Sequence, residues 1–374
     1  MKPLQNKLKS AGRDESTRAI FFALLAAVLF GVCSPVSKVL LASLPPTFMA
    51  ALLYLGAGLG MLLIRVVGIL RKKPRTEARM TKKELPYAAA MILLDIAAPI
   101  FLMVGLTMTA ASTASLLNNF EIVATAAVAM VFFKEPMDKR MWMAILLITL
   151  SSIILSVEDF HSLNPSVGAA FVLAACLCWG VENNCTRMLS LKDPLQIVII
   201  KGFGSGTGAL LIAAAVSGFF AGTVSFSGLY ENLPYILMAL FLGFISYGLS
   251  IFFYIAAQRE LGAARTSIYY AAAPFIGVLI SWVALRDAIT GSFLIALAIM
   301  IAGTYLAISE KHKHFHVHVE ETHEHRHRHD DGHHNHRHDF EVAGEHSHPH
   351  THEALEHTHT HTPELHHQHT HEHV

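Results

Sequence analysis

The sequence predicts an all-α polytopic membrane protein: ten transmembrane helices arranged as two inverted five-helix repeats, followed by a disordered C-terminal tail. Three observations predict it. Apolar runs of about twenty residues, the length that spans a bilayer core, recur along the chain. Basic residues occupy alternate links between the runs. The second half repeats the first at a nearly constant offset.

The apolar runs lie at about 19–41, 46–69, 86–107, 112–133, 140–157, 166–188, 195–219, 234–256, 265–285 and 289–309. They are called spans one to ten below. Breaks between them are short and turn-rich, as at Leu44-Pro45-Pro46 and Asn164-Pro165. Helices are expected rather than strands, because a helix satisfies its own backbone inside lipid. The first 18 residues are polar and basic, and no convincing small-residue cleavage site follows the first run. That predicts a retained membrane helix rather than a cleaved signal peptide. All four cysteines (Cys33, Cys176, Cys178 and Cys185) sit in apolar runs. Cys176 and Cys178 point apart on a helix, so reduced thiols are expected rather than a zinc or redox pair.

The basic links set an orientation. Arg71, Lys72, Lys73, Arg75, Arg79, Lys82 and Lys83 follow span two, and Lys134, Lys139 and Arg140 follow span four. Arg187, Lys192, Arg259 and Arg265 follow spans six and eight, whereas the links after spans one, three, five and seven have no Lys or Arg. Cytoplasmic loops carry the basic excess. Both termini are therefore expected in the cytoplasm, with the protein multi-pass in the cytoplasmic (inner) membrane.

The repeat is visible residue by residue. YLGAGLGMLLI (54–64) precedes GFGSGTGALLI (202–212) by 148 residues, placing Gly56, Gly58 and Gly60 on Gly204, Gly206 and Gly208. FGVCSPVSKVL (30–40) matches WGVENNCTRML (179–189) at 149, and Lys134-Glu135 falls on Arg286-Asp287 at 152. Each copy holds five spans, an odd number, so the second enters the membrane inverted. Inverted repeats are a transporter architecture, with substrate near the midplane between the halves. The expected layout is a cytoplasmic segment 1–18, repeats at 19–157 and 165–309, and a tail at 310–374.

With those residues in view, the chain resembles the drug/metabolite transporter superfamily with two EamA-type domains. FYIAAQRELGAARTSIYYAAAPFIGVLISWVALRD (253–287) is similar to that family's most recognisable region, and ASLLNNFEIVATAAVAMVFFKE (114–135) is its first-half counterpart. Glu121 occupies the acid of the family's Glu-Pro pair, with Ile122 in place of proline; Pro274 keeps the proline, with Ala273 in place of the acid. The resemblance covers about 19–309 and implies the fold. It leaves the substrate open, since the family moves amino acids, sugar derivatives, drugs and other metabolites.

Polar side chains at membrane depth are costly and default to functional candidates. Asp95 lies mid-span, one turn before Pro99, and Asn118 shares a face with Glu121 in span four. Trp179, Glu182, Asn183 and Thr186 form one stripe in span six; Tyr269 and Tyr270 lie in span nine. Lys201, two turns into span seven, either snorkels to the headgroups or pairs with an acid, while Lys38 and Arg187 near span ends are expected to snorkel. A carboxylate in apolar surroundings can load and release a proton during a cycle, which makes Glu121 the leading candidate for proton or substrate handling. The asparagines equally suit hydrogen bonds between helices, and the tyrosines suit packing. GFGSGTG has no strand before it, so close helix packing at small-xxx-small spacing fits better than a phosphate loop. No Ser-His-Asp set exists in the spans, and no enzyme is expected.

The tail holds 24 of the chain's 25 histidines, and residues 311–374 carry 5 Lys+Arg against 12 Asp+Glu. Too few apolar residues remain for a core. Neutral imidazoles are ligands for Zn, Ni, Co and Cu. The candidate ligands are His323, His325, His327, His329, His333, His334, His336, His338, His346, His348, His350, His352, His357, His359 and His361. No required cofactor is expected, only such ions on the tail. Protonation of the tail near pH 6.5 would equally make a pH sensor. The expected partners are lipid, a small-molecule substrate, divalent ions and a second copy as a homodimer, with no nucleic acid. The leading expectation is a metabolite exporter working by alternating access. The alternatives are a divalent-metal or metal-chelate exporter with the tail as collector, and a non-transporting membrane metal sensor.

Overall fold

The computed structural model describes the backbone of residues 2–71, 80–133, 139–159, 164–189, 192–217 and 232–308, with four tail segments at 312–318, 321–327, 346–352 and 355–361. Among the described residues, nine helices are long and apolar enough to cross a membrane, from Thr17–Leu40 to Gly291–Ile308, and Ala273–Leu285 is a shorter apolar helix. Every apolar run of the sequence thus forms a helix.

One expected boundary is absent. The link between spans eight and nine is helical, because Ser250–Tyr270 runs on without a break. The stretch there is alanine-rich, with Gly262 its only strong breaker. One glycine costs about 1 kcal/mol in a helix interior, too little to end it. Other helices break inside the membrane region. Span one divides into Lys2–Gly31 and Cys33–Leu40. Span four divides into Ala111–Leu117 and Phe120–Phe133. Span nine breaks between Tyr270 and Ala273, just before Pro274. The breaks in spans four and nine lie close to the 152-residue offset of the repeat.

Packing between helices repeats as well. Span two lies along span seven, span four against span nine, and span five along span ten. Span three packs on span six, as span one packs on the Phe244–Leu249 and Ser250–Tyr270 segments. Exchanging the two copies maps the first three pairs onto themselves and the last two onto each other. The glycines sharpen this symmetry. A Cβ on Gly56 would strike the Leu240 backbone, and one on Gly204 would strike Ile92. Ile92 and Leu240 are themselves 148 apart. Gly60 faces Phe244 as Gly208 faces Ile96, again at that offset. Glycines also meet directly, Gly58 on Gly202 between spans two and seven and Gly105 on Gly168 between spans three and six, which lets these spans touch backbone to backbone.

The main core gathers Tyr54, Leu102, Leu106, Leu117, Val172 and Trp179 from both halves. Large apolar side chains such as Leu70, Phe132, Val216 and Tyr305 are exposed on the outside, as suits a lipid-facing surface. In the tail, His312–His318 pairs antiparallel with Leu355–His361, and Glu321–His327 with His346–His352. An isolated two-stranded pair is marginal in water, so these ladders supply no core. The remaining tail histidines lie outside the described residues.

Candidate functional site

The buried polar groups converge where the halves meet. Asp95 of span three is fully buried, and its carboxylate accepts a 2.6 Å hydrogen bond from the Tyr54 hydroxyl. Pro99 has no N–H to give the Asp95 carbonyl, so the helix is locally opened at this residue. Lys201 enters from span seven. Its ammonium stands 3.1 Å from Asp95 Oδ2 and 3.0 Å from Glu182 Oε1. The contact to Asp95 Oδ2 is an ion pair without the alignment of a hydrogen bond. Glu182, 2% exposed, also accepts from the Thr186 hydroxyl one turn further along span six. The lysine therefore does not snorkel; it bridges an acid of the first half to an acid of its own half.

A second polar pair lies alongside. Asn183 donates to Glu121 Oε1 at 2.6 Å and to Thr125 Oγ1 at 3.2 Å. Asn184 donates to the Thr125 carbonyl at 3.2 Å and the Gly180 carbonyl at 2.8 Å. Spans four and six are thus stitched together by amides, as interhelical asparagines in a membrane do. Of the sequence candidates, Asp95, Glu182 and Lys201 form one cluster, and Glu121 with Asn183 forms its neighbour. Trp179 is packed into the main core rather than standing in the polar stripe as a contact. Tyr270 stacks on Phe30 and Tyr254 at centroid distances of 5.9 and 4.9 Å, and Tyr269 is half-buried beside it. Asn118 lies at the break of span four, separate from the charges.

Lys38 corrects another expectation. Its ammonium donates to the carbonyls of Leu106 and, at 2.9 Å, Thr109, capping the C-terminal end of span three instead of reaching headgroups. Free carbonyls and the negative end of the helix dipole attract it there. The side chain of Arg187 lies outside the described residues, as do those of the tail histidines. Among the described residues no group of three or more metal-ligating side chains occurs.

Tyr54 was not singled out in the sequence, yet a signal exists. The repeat offset sets Tyr54 against Gly202, Asp95 against Gly243, Lys201 against Leu53, and Glu182 against Cys33. A Cβ on Gly243 would strike the Leu53 backbone, so the neutral counterparts of Asp95 and Lys201 approach backbone to backbone. The charged cluster is therefore built on one of two equivalent places in a symmetric scaffold. When all three groups are ionised, the triad holds two carboxylates against one ammonium and keeps an excess negative charge. Such a cluster suits reversible neutralisation by a proton or by a positively charged group.

Comparison with known proteins bears on the family and the fold. The sequence profile of the EamA-like transporter family matches residues 17–157 and again 166–309. A protein described as an uncharacterized transporter from Methanothermobacter thermautotrophicus is 27% identical over 295 residues, covering 75% of this chain and 83% of that one. A solved protein crystal structure superposes with a TM-score of 0.51 at 16% identity, covering 78% of this chain and 98% of that one; this likeness concerns the fold alone. With both five-helix halves matched by one profile, the chain belongs to the EamA-like transporter family of the drug/metabolite transporter superfamily.

Proposed function

We propose that the protein exports a small organic metabolite across the cytoplasmic membrane by alternating access between its two halves. The observation that carries this reading is Lys201, held between Asp95 of the first half and Glu182 of the second. A buried ion pair is expensive to desolvate and rarely serves stability alone. Placed across the interface of two repeats, it is a contact that substrate or proton can replace. Glu121, hydrogen-bonded by Asn183, is the accessory acid. The tail acts as a cytoplasmic accessory that collects Zn, Ni, Co or Cu through closely spaced imidazoles.

One comparison tests the reading. Cells producing the wild-type chain, Lys201→Met, or a chain ending at Glu310 are compared for solutes in the medium and for cellular Zn, Ni, Co and Cu. The expected result is a small set of organic solutes enriched outside by wild type and the shortened chain, and not by Lys201→Met. Lowered content of one metal with wild type alone would replace it with metal export. Identical media and identical metal content in all three would overturn transport and favour a sensor.

A further inference from the structure

A second site lies apart from the charged cluster, where three broken helices meet. A small cavity, with room for about one water-sized species, is lined by Phe30, Gly31, Ser34, Ser115, Asn118, Ala273 and Pro274. Such a space is far below the pockets of about 300 to 1,000 Å³ that take drug-sized molecules, and it suits a single small species. Its walls come from the break in span one, the break in span four and the break in span nine, hence from both halves.

The lining is rich in oxygen and poor in charge. Ser115 and Asn118 are 2% and 8% exposed, and Ser115 Oγ and Asn118 Oδ1 have no hydrogen-bond partner among the described residues. Ser34 brings a further hydroxyl. Pro35 stands four residues after Gly31 and supplies no N–H, so the Gly31 carbonyl lacks its helical donor. Glycine is needed at this junction, since a Cβ on Gly31 would come within 2.6 Å of the Ala273 carbonyl oxygen. One on Gly277 would come within 2.7 Å of Ser115 Oγ. An orphaned buried oxygen costs about 1–3 kcal/mol, and two facing one cavity call for an occupant.

We infer that this cavity is a monovalent-cation site for Na⁺, coordinated by Ser115 Oγ, Asn118 Oδ1 and the Gly31 carbonyl. Neutral oxygens alone cannot offset a divalent ion's dehydration, and Ca²⁺ or Mg²⁺ sites carry carboxylates. No carboxylate lines this one. The backbone stays helical through the junction at Val32, and Pro35 leaves the Gly31 carbonyl open to a cation. Since Ala273 and Pro274 belong to the second half and the donors to the first, an ion here would favour the arrangement in which the halves are closed on each other. This site is independent of the substrate reading, because binding can be measured without flux.

The test is thermal unfolding of the full chain in detergent, in NaCl, KCl or choline chloride at equal ionic strength, at pH 7. Expected is a saturable rise in Tm with Na⁺ that choline does not give. Ser115→Ala keeps the side-chain volume nearly unchanged and removes one donor. It should weaken the apparent Na⁺ affinity roughly tenfold, about the value of one hydrogen bond to a charged group. Gly277→Ala, which pushes a methyl at the same hydroxyl, should weaken it too. Equal melting of the wild-type chain in NaCl and choline chloride overturns the site and leaves the cavity to water. So does a Na⁺ effect that Ser115→Ala and Gly277→Ala both retain in full.

Discussion

Removing the Lys201 ammonium leaves Asp95 and Glu182 facing each other with no cation between them. Breaking a buried ion pair from one side costs about 3–5 kcal/mol, because the remaining charge is stranded. Lys201→Met should therefore lower Tm markedly in detergent, and adding Glu182→Gln should recover part of the loss. The sign of the pH effect follows. Protons can neutralise the stranded acids, so the variant's deficit should shrink at pH 5 relative to pH 8. A deficit that is equal at both pH values would show that the acids are not stranded. Glu121→Gln is a gentler change, since glutamine keeps the oxygen that accepts from Asn183 Nδ2 at 2.6 Å. Its Tm should stay close to that of wild type, while export of the solutes found for wild type falls. Normal export by Glu121→Gln removes that acid from the mechanism. At this scale the sequence showed which residues were out of place in a membrane, because intramembrane charge is its own signal. Partner choice was not legible: Lys201 sits 106 positions from Asp95 in the chain, and only the fold brings them together.

Between helices, the glycines decide how close the backbones come. Gly202→Ala would place a methyl against the Gly58 backbone, where neither side can yield easily. Overpacking of this kind costs about 1–3 kcal/mol. Gly68 has nothing within 4 Å of an added Cβ. Gly68→Ala should be neutral or stabilising by up to about 1 kcal/mol, the helix-propensity gain over glycine. Thermal unfolding of the two variants side by side checks the contrast; equal effects would mean the span two–span seven contact is not tight. The helices themselves were legible, because about twenty apolar residues in lipid leave the backbone little alternative. Their small-residue faces were legible too, from spacing. The pairing of Gly58 with Gly202, off the predicted Gly56/Gly60 stripe, was not, because it depends on how the two helices are rotated. The helical link at 257–264 was missed for a local reason: basic residues and one glycine read as a loop, yet neither outweighs the surrounding alanines.

Across the whole molecule, the halves are tied at two levels. Lys192, after span six, pairs with Glu84, before span three, at 3.5 Å. Both belong to links on the basic side of the orientation pattern. On the other side, Asp287 of the second half accepts a 2.8 Å hydrogen bond from the Ser112 N–H of the first. The helix Ala111–Leu117 has no side-chain cap of its own, so the opposite half caps it. Arg286 adopts the left-handed conformation that turns the chain to present Asp287 there. Ties thus stand at both ends, with the Asp95–Lys201–Glu182 cluster between them. The alternating access proposed above requires one tie to part while the other holds. Joining positions 84 and 192 should therefore stop turnover without unfolding the protein. The direct experiment is Glu84→Cys with Lys192→Cys, linked by a short bis-maleimide in membranes. Each single-cysteine variant serves as the control for reaction at the native cysteines. Export of the solutes identified for the wild-type chain should be lost only in the linked double variant, and kept in both singles. Undiminished export from a fully linked protein would mean that the halves do not separate at that end, and the path would have to open between spans three and nine instead.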